Sequence, residues 1–333
     1  MFEVITDINR IDNQQWDNLV RTSSVSSWFQ SRHGYNFYAT QPEYKQMVAA
    51  VTRDGILKGL ALAEVGNKGN SLVRRMTRRA VITGGPLLAD DIEDEELEAL
   101  LNAIHSQLQP ICIYTETRNF SDYSRWTPIF EKVGFKYEPH YNVLIDTSSA
   151  ESVEKGLDRN RRRNIKKALE NGVVVDTSPT EIKGFYDLLR QLYKTKVHRP
   201  LPDYSFFESL FHSDTAHYFI VNSPDGFMIG GLLCVGVPHE TLYAWYCCGK
   251  DAEFRQLSPS VIANYAGIRY AAEHGFKKFD FMGAGRPDDG GYGVRDFKLK
   301  FGGNLVEYGH YEYTHHPLAY HFLTRILDII RPN

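Results

Sequence analysis

Two stretches of this chain place fixed positive charge where it could act on a substrate. The first is GGYGVRDFKLKFGG, residues 290–303, in which Lys298 and Lys300 alternate with Phe297, Leu299 and Phe301. Read as a strand, the three apolar residues share one face and both lysines lie in solvent. Read as a short helix, Val294, Phe297, Lys298 and Phe301 share one side and Lys300 turns away beside Asp296. Gly302-Gly303 then serves as the C-terminal stop. Only the helical reading separates the two lysines. The second stretch is EKGLDRNRRRNIKKALENGVVV, residues 154–175. On a helix, Arg159, Arg162, Arg163 and Lys166 fall on one face at i, i+3, i+4, i+7 spacing, while Ile165, Ala168 and Leu169 turn inward. Guanidinium groups at this density suit phosphate, which arginine binds in a bidentate way.

Other chemistries lack their signatures. The net charge is −3, so anion binding must come from local patches such as these two, or the smaller RRMTRR at 74–79. The cysteines, Cys112, Cys234, Cys247 and Cys248, have no CxxC spacing and read as buried, reduced thiols rather than a zinc site. The twelve histidines form no HExxH, and no GxSxG or P-loop occurs. GAGRPDDGGYGV, residues 283–294, approaches a dinucleotide-binding loop, but Asp288 stands where the third glycine belongs and Pro287 interrupts the helix start, so a flexible loop beside a site is expected there. ADDIEDEELEAL places seven acids at a helix start, which suits the helix dipole and repels phosphate. The opening MFEVITDINR has no signal pattern, and no apolar run approaches the ~20 residues needed to span a bilayer. A cytoplasmic location is expected.

The elements that must position these residues recur. VTRDGILKGLALAEV (51–65) and VNSPDGFMIGGLLCVGV (221–237) each read as two strands joined through Asp-Gly, about half the chain apart. Each is followed by a strand, an amphipathic helix and another strand: AVITGG, DEELEALLNAIHSQL and ICIYTET in one half, LYAWYCCG, SPSVIANYAGIRYAAEHG and KKFDFMG in the other. Ser258-Pro259 reads as N-cap and first helical position. FEKVGFKYEPHYNVLID and FKLKFGGNLVEYGHYEY close the two halves. The expectation is an α+β protein of two similar domains, residues 1–145 and 146–333, each a mostly antiparallel mixed sheet with flanking helices. A helical insertion at 151–212 has no long counterpart in the first.

This element order resembles the GCN5-related N-acetyltransferase (GNAT) fold, and two in tandem resemble the Fem family of peptidyl and aminoacyl transferases. GGPLL (84–88), RRRNIKKALENGV (161–173), FDFMGAG (279–285) and FKLKFGG (297–303) carry the resemblance in order along most of the chain. It implies transfer of an amino acid from aminoacyl-tRNA to an amine of a nucleotide- or lipid-linked peptidoglycan precursor, with no further cofactor. It also implies that Phe297 and Lys298 serve transition-state or phosphate stabilisation and that Arg163 contacts the precursor phosphate. Lys298 is the candidate cation for the developing oxyanion, Asp280 a candidate to orient a group or accept a proton, and Tyr246 and Tyr292 candidate pocket residues. RQLSPS, 255–260, departs from the pyrophosphate loop of acetyl-CoA enzymes, because Ser258 and Ser260 replace small residues and Pro259 has no N–H. No sustained heptads supply the coiled-coil arm of some Fem enzymes. Two other readings stay open: an acyl-CoA-dependent N-acyltransferase acting on an amino sugar or surface polysaccharide, and a non-catalytic protein binding an anionic ligand. PLAYHFLTRILDIIRPN at the C-terminus is amphipathic, suited to the protein's own core or to contact with a membrane surface.

Overall fold

The computed structural model describes residues 1–66, 78–290, 292–317 and 320. The chain divides into two compact units, one of residues 1–140 and 307–333, the other of residues 141–306. The amphipathic C-terminus lies almost wholly outside the described residues, as does most of RRMTRR.

The first unit runs β1 (Phe2–Ile5), α1 (Asn13–Thr22), α2 (Arg32–Ala39), β2 (Tyr44–Arg53), β3 (Ile56–Gly66), β4 (Arg79–Gly84), β5 (Leu87–Leu88), α3 (Asp94–Leu108), β6 (Tyr114–Asn119), α4 (Thr127–Val133) and β7 (Lys136–Glu138). The second runs β8 (Tyr141–Asp146), α5 (Ala150–Gly156), α6 (Arg159–Glu170), β9 (Val174–Asp176), α7 (Lys183–Leu192), α8 (Tyr204–Phe211), β10 (Ala216–Asn222), β11 (Met228–Val235), β12 (Thr241–Gly249), α9 (Pro259–Glu273), β13 (Lys278–Asp280), α10 (Tyr292–Leu299) and β14 (Asn304–Glu307). The last strand, β15 (His310–Thr314), belongs to the first unit.

Both Asp-Gly hairpins form, by different turns. Asp54 and Gly55 both have positive φ and close a two-residue loop between Arg53 and Ile56. In the second only Gly226 does, inside a longer Ser223–Phe227 turn.

The sheets have orders β1-β2-β3-β4-β6-β15-β7 and β9-β10-β11-β12-β13-β8-β14. Position by position these are the same sheet, with β15 and β8 exchanged. β8 follows the first unit in sequence but pairs antiparallel with β13, while β15 follows the second and pairs with β6 and β7. The expected boundary at residue 145 therefore moves to 140/141, and the expectation that everything beyond 146 belongs to the second domain is corrected at β15. The expected insertion at 151–212 is smaller too. α7 and α8 stand between β9 and β10 as α1 and α2 stand between β1 and β2, leaving only α5 and α6 without a counterpart.

One difference between the sheets matters for function. In the first unit the parallel strands β4 and β6 stay paired over six positions, Arg79–Tyr114 to Gly84–Asn119. In the second, β12 and β13 pair over three, ending at Tyr243–Asp280. β12 runs on to Gly249 with Trp245 bulged out of register against β11, so the strands part beyond Asp280. The apolar face beneath α5, α6, α9 and α10 is closed by residues such as Val143, Leu232, Ile268, Phe279, Phe281 and Phe301. On the opposite face an aromatic cluster of Phe185, Phe206, Phe207 and Tyr218 packs under α7 and α8.

Candidate active site

The loop after β13 is shaped by left-handed backbone at Met282, Gly283 and Gly285. Its carbonyls turn toward α10, and two cations one helical turn apart on that helix take them up. Arg295 donates from Nε to the Ala284 carbonyl (3.2 Å) and from Nη2 to the Arg286 carbonyl (2.6 Å), with its guanidinium over the Tyr141 ring. Lys298 Nζ donates to the Phe281 carbonyl at 2.9 Å and to the Gly283 carbonyl, and lies 5.6 Å from the Phe281 ring centroid. An ammonium has three donors, so one remains for a third acceptor. Because its partners are backbone oxygens of the strand extension, the ammonium lies at the level of the sheet, where β12 and β13 part.

Two titratable groups border it. Asp280, wholly buried, accepts from the Met282 N–H at 2.7 Å and from Asn142 Nδ2 at 3.4 Å. Burial lifts its carboxyl to about 7, against the pull of these donors and of Lys298. Burial lowers Lys298 to about 8, opposed by the Asp280 carboxylate. Cys247, from β12, receives Asn264 Nδ2 at 3.2 Å, and burial pushes its thiol up to about 12, so it is no thiolate nucleophile. Lys298 and Asp280 thus titrate near neutral pH as a coupled pair.

The helical reading of residues 292–299 holds, with Lys300 exposed, although Val294 is 60% exposed rather than sharing the inner side. Phe297 packs its ring on Phe301 and under the Arg161 guanidinium. Tyr292 opens α10. The Trp245 bulge puts Tyr246 beside Phe206 and Phe207, on the α7–α8 face. Asp280 points to that face also, opposite Phe279 and Phe281.

The basic cluster forms helix α6, capped by the Asp158 side chain. Its outward residues are not equivalent. Arg162 Nη2 donates to the Glu154 carbonyl (2.9 Å) and the Leu157 carbonyl (3.3 Å), closing the end of α5, and Lys166 pairs with Glu170. Arg159 and Arg163 are exposed and make no ion pair among the described residues. Leu169, expected inside, is 50% exposed, and Arg161 takes the inward position with Ile165 and Ala168. Arg161 and Arg295 were the cations missed from sequence. Only the spacing of Arg295, three residues before Lys298 on a helix, could have signalled one of them.

The start of α9 differs from expectation. Ser258 is left-handed and its side chain caps nothing; Asp251 instead accepts from the Ser260 N–H at 3.0 Å and from its hydroxyl. At the equivalent helix of the first unit, Glu93 and Glu96 form a capping box. Both helix N-termini hold a carboxylate.

Residues 156–299 match the family model described as an acetyltransferase (GNAT) domain. The crystal structure of FemX superposes with a TM-score of 0.73 at 18% identity, over 96% of this chain and 99% of that one. The chain has the fold of FemX. The same fold is found in L-PGS from Bacillus licheniformis (TM-score 0.58, 13% identity, 94% and 96% of the two chains). It recurs in a tandem GNAT protein from the clavulanic acid biosynthesis pathway (0.58, 11%, 95% and 99%). No curated protein matches the chain in sequence. Among the described residues, no cluster of metal-ligating side chains occurs and no helix is long and apolar enough to cross a membrane.

Proposed function

We propose that this protein is an acyltransferase of the Fem type, acting in the cytoplasm. It moves an amino acid from aminoacyl-tRNA to an amine of a nucleotide- or lipid-linked peptidoglycan precursor, with no further cofactor. The observation that carries the reading is the Lys298 ammonium, partly buried at the opening between β12 and β13 with one donor to spare. Attack of a neutral amine on the ester carbonyl makes a tetrahedral oxyanion. A preorganised cation in a dry site stabilises that charge and needs no reorganisation as the charge develops. Ionised Asp280 holds Lys298 protonated and is a candidate to accept the proton that the amine nitrogen sheds once it has bonded to the carbonyl carbon; collapse of the intermediate then breaks the ester C–O bond, and the ribose oxygen of the tRNA leaves with a proton as the hydroxyl. Arg159 and Arg163, exposed and without an ion pair among the described residues, suit the precursor phosphates.

The GNAT fold alone equally suits acyl-CoA as donor. Favouring tRNA, Asp251 occupies the α9 N-terminus, where a pyrophosphate would need free N–H groups.

The test is transfer of labelled amino acid from aminoacyl-tRNA to a nucleotide-linked precursor, beside calorimetric titration with acetyl-CoA. The expected result is transfer by the wild type, its near-loss in Lys298→Met, and no saturable acetyl-CoA binding. Full turnover by Lys298→Met, or transfer from acyl-CoA alone, overturns the reading.

A further inference from the structure

Arg161 is 5% exposed on the inner face of α6, yet it carries a full guanidinium. Its Cζ lies 4.5 Å from the Phe297 ring centroid and 4.4 Å from that of Phe301, and Nη2 donates to the Phe297 carbonyl at 2.8 Å. That carbonyl belongs to the last turn of α10, where the helix's own N–H groups no longer reach. The Phe301 N–H bonds to Lys298 O instead, so Arg161 supplies the donor that Phe297 O lacks. Two backbone contacts join the same grip. The Asp158 N–H donates to Lys300 O at 3.0 Å, and Gly302 lies so close to Gly156 that a Cβ there would stand 2.3 Å from the Gly156 oxygen. Residues 156–161 therefore hold residues 297–302, with Lys298 in the middle.

Apolar side chains would fill this space without the cost of desolvating a cation, and Arg161 Nε has no hydrogen-bond partner among the described residues. What the guanidinium adds is direction, a flat fork held between two rings with one donor on one carbonyl.

We propose that Arg161 is a positioning residue for the transfer reaction, fixing the last turn of α10 and with it the depth at which Lys298 Nζ enters the gap between β12 and β13. This rests on Lys298 as the catalytic cation. The charged and titratable groups facing Lys298 are Asp280 from β13 and Cys247 from β12; those facing Arg161 are Asp158 and Asp251.

The experiment compares wild type, Arg161→Lys and Arg161→Gln. Arg161→Lys keeps the charge and loses the fork; Arg161→Gln loses both. Competitive acetic anhydride labelling, read by mass spectrometry, follows the ionisation of Lys298, and near-UV circular dichroism confirms folding. The expected result is a labelling midpoint raised in both variants as water reaches the ammonium. Turnover falls about tenfold or more at unchanged KM, and the alkaline limb of activity moves with the midpoint. In a Lys298→Met background, Arg161→Lys then costs no further turnover. An unchanged midpoint and limb in folded Arg161→Lys overturn the proposal, and so does a shift confined to Arg161→Gln, which would mark loss of charge alone. If Arg161→Gln does not fold, Arg161→Lys decides. If Lys298→Met keeps full turnover, the catalytic reading of Lys298 falls separately, while the labelling midpoint still reports whether Arg161 sets its depth.

Discussion

At the scale of single residues, the site is a matter of where three cations spend their donors. Arg295 gives its donors to the loop after β13, Arg161 gives one to the end of α10, and Lys298 keeps one in reserve. Lys298→Met should lower kcat by about 10²–10³, the usual loss for one oxyanion donor, with a melting temperature close to wild type. Activity should rise with pH as Asp280 ionises near 7 and fall as Lys298 loses its proton near 8. Asp280→Asn should abolish the acid limb in a pH–rate profile. The stability sign follows from the lowered lysine value. Between about 8 and the ordinary 10.5 the unfolded chain binds the proton that the folded chain has lost, so stability rises with pH across that window. The buried thiols, held above their ordinary value, lower the stability of both proteins over the same window, so urea titrations at pH 8 and 10.5 should show wild type gaining stability relative to Lys298→Met.

At the scale of elements, α10 does its work because its C-terminal end is clamped and its loop is pinned. Gly302 has φ +88° and backbone at its Cβ position, so Gly302→Ala meets both a strained conformation and a clash with Gly156. It should cost at least about 2 kcal/mol in chemical denaturation and lower turnover through Lys298. The helix itself was legible in the sequence because Phe297, Lys298 and Phe301 share a face only at helical spacing and Gly302 ends the run. The inward turn of Arg161 was not legible. Periodicity places an arginine outside by default, and only the two phenylalanine rings of a distant helix make its burial favourable. The cap of α9 was misread for a related reason. Ser258 is the local candidate, but Asp251, seven residues earlier in the turn after β12, accepts from the Ser260 N–H instead.

At the scale of the whole molecule, the exchange of β8 and β15 makes neither half of the sequence a complete sheet. A fragment ending at residue 145 would lack β15, the strand between β6 and β7 that carries the fully buried Tyr311. Deleting residues 307–333 should therefore leave the first unit without cooperative unfolding and raise amide exchange in β6 and β7. A deletion that left exchange in β6 unchanged would contradict this account of the fold.

The sequence by itself determined the duplicated order of elements, the α+β class, and the helix of Phe297 and Lys298. Each is written in local spacing, in turn residues, or in the identity of a few side chains. The tertiary structure alone decided which sheet owns β8 and β15. The two exchanged strands occupy equivalent places in their sheets, and a strand's own pattern does not say which sheet it joins. It also decided that β12 and β13 part after Asp280 while β4 and β6 stay closed, which puts the opening that Lys298 enters in the second unit. That difference arises from a one-residue bulge and from carbonyls turned toward a helix, and strand periodicity registers neither.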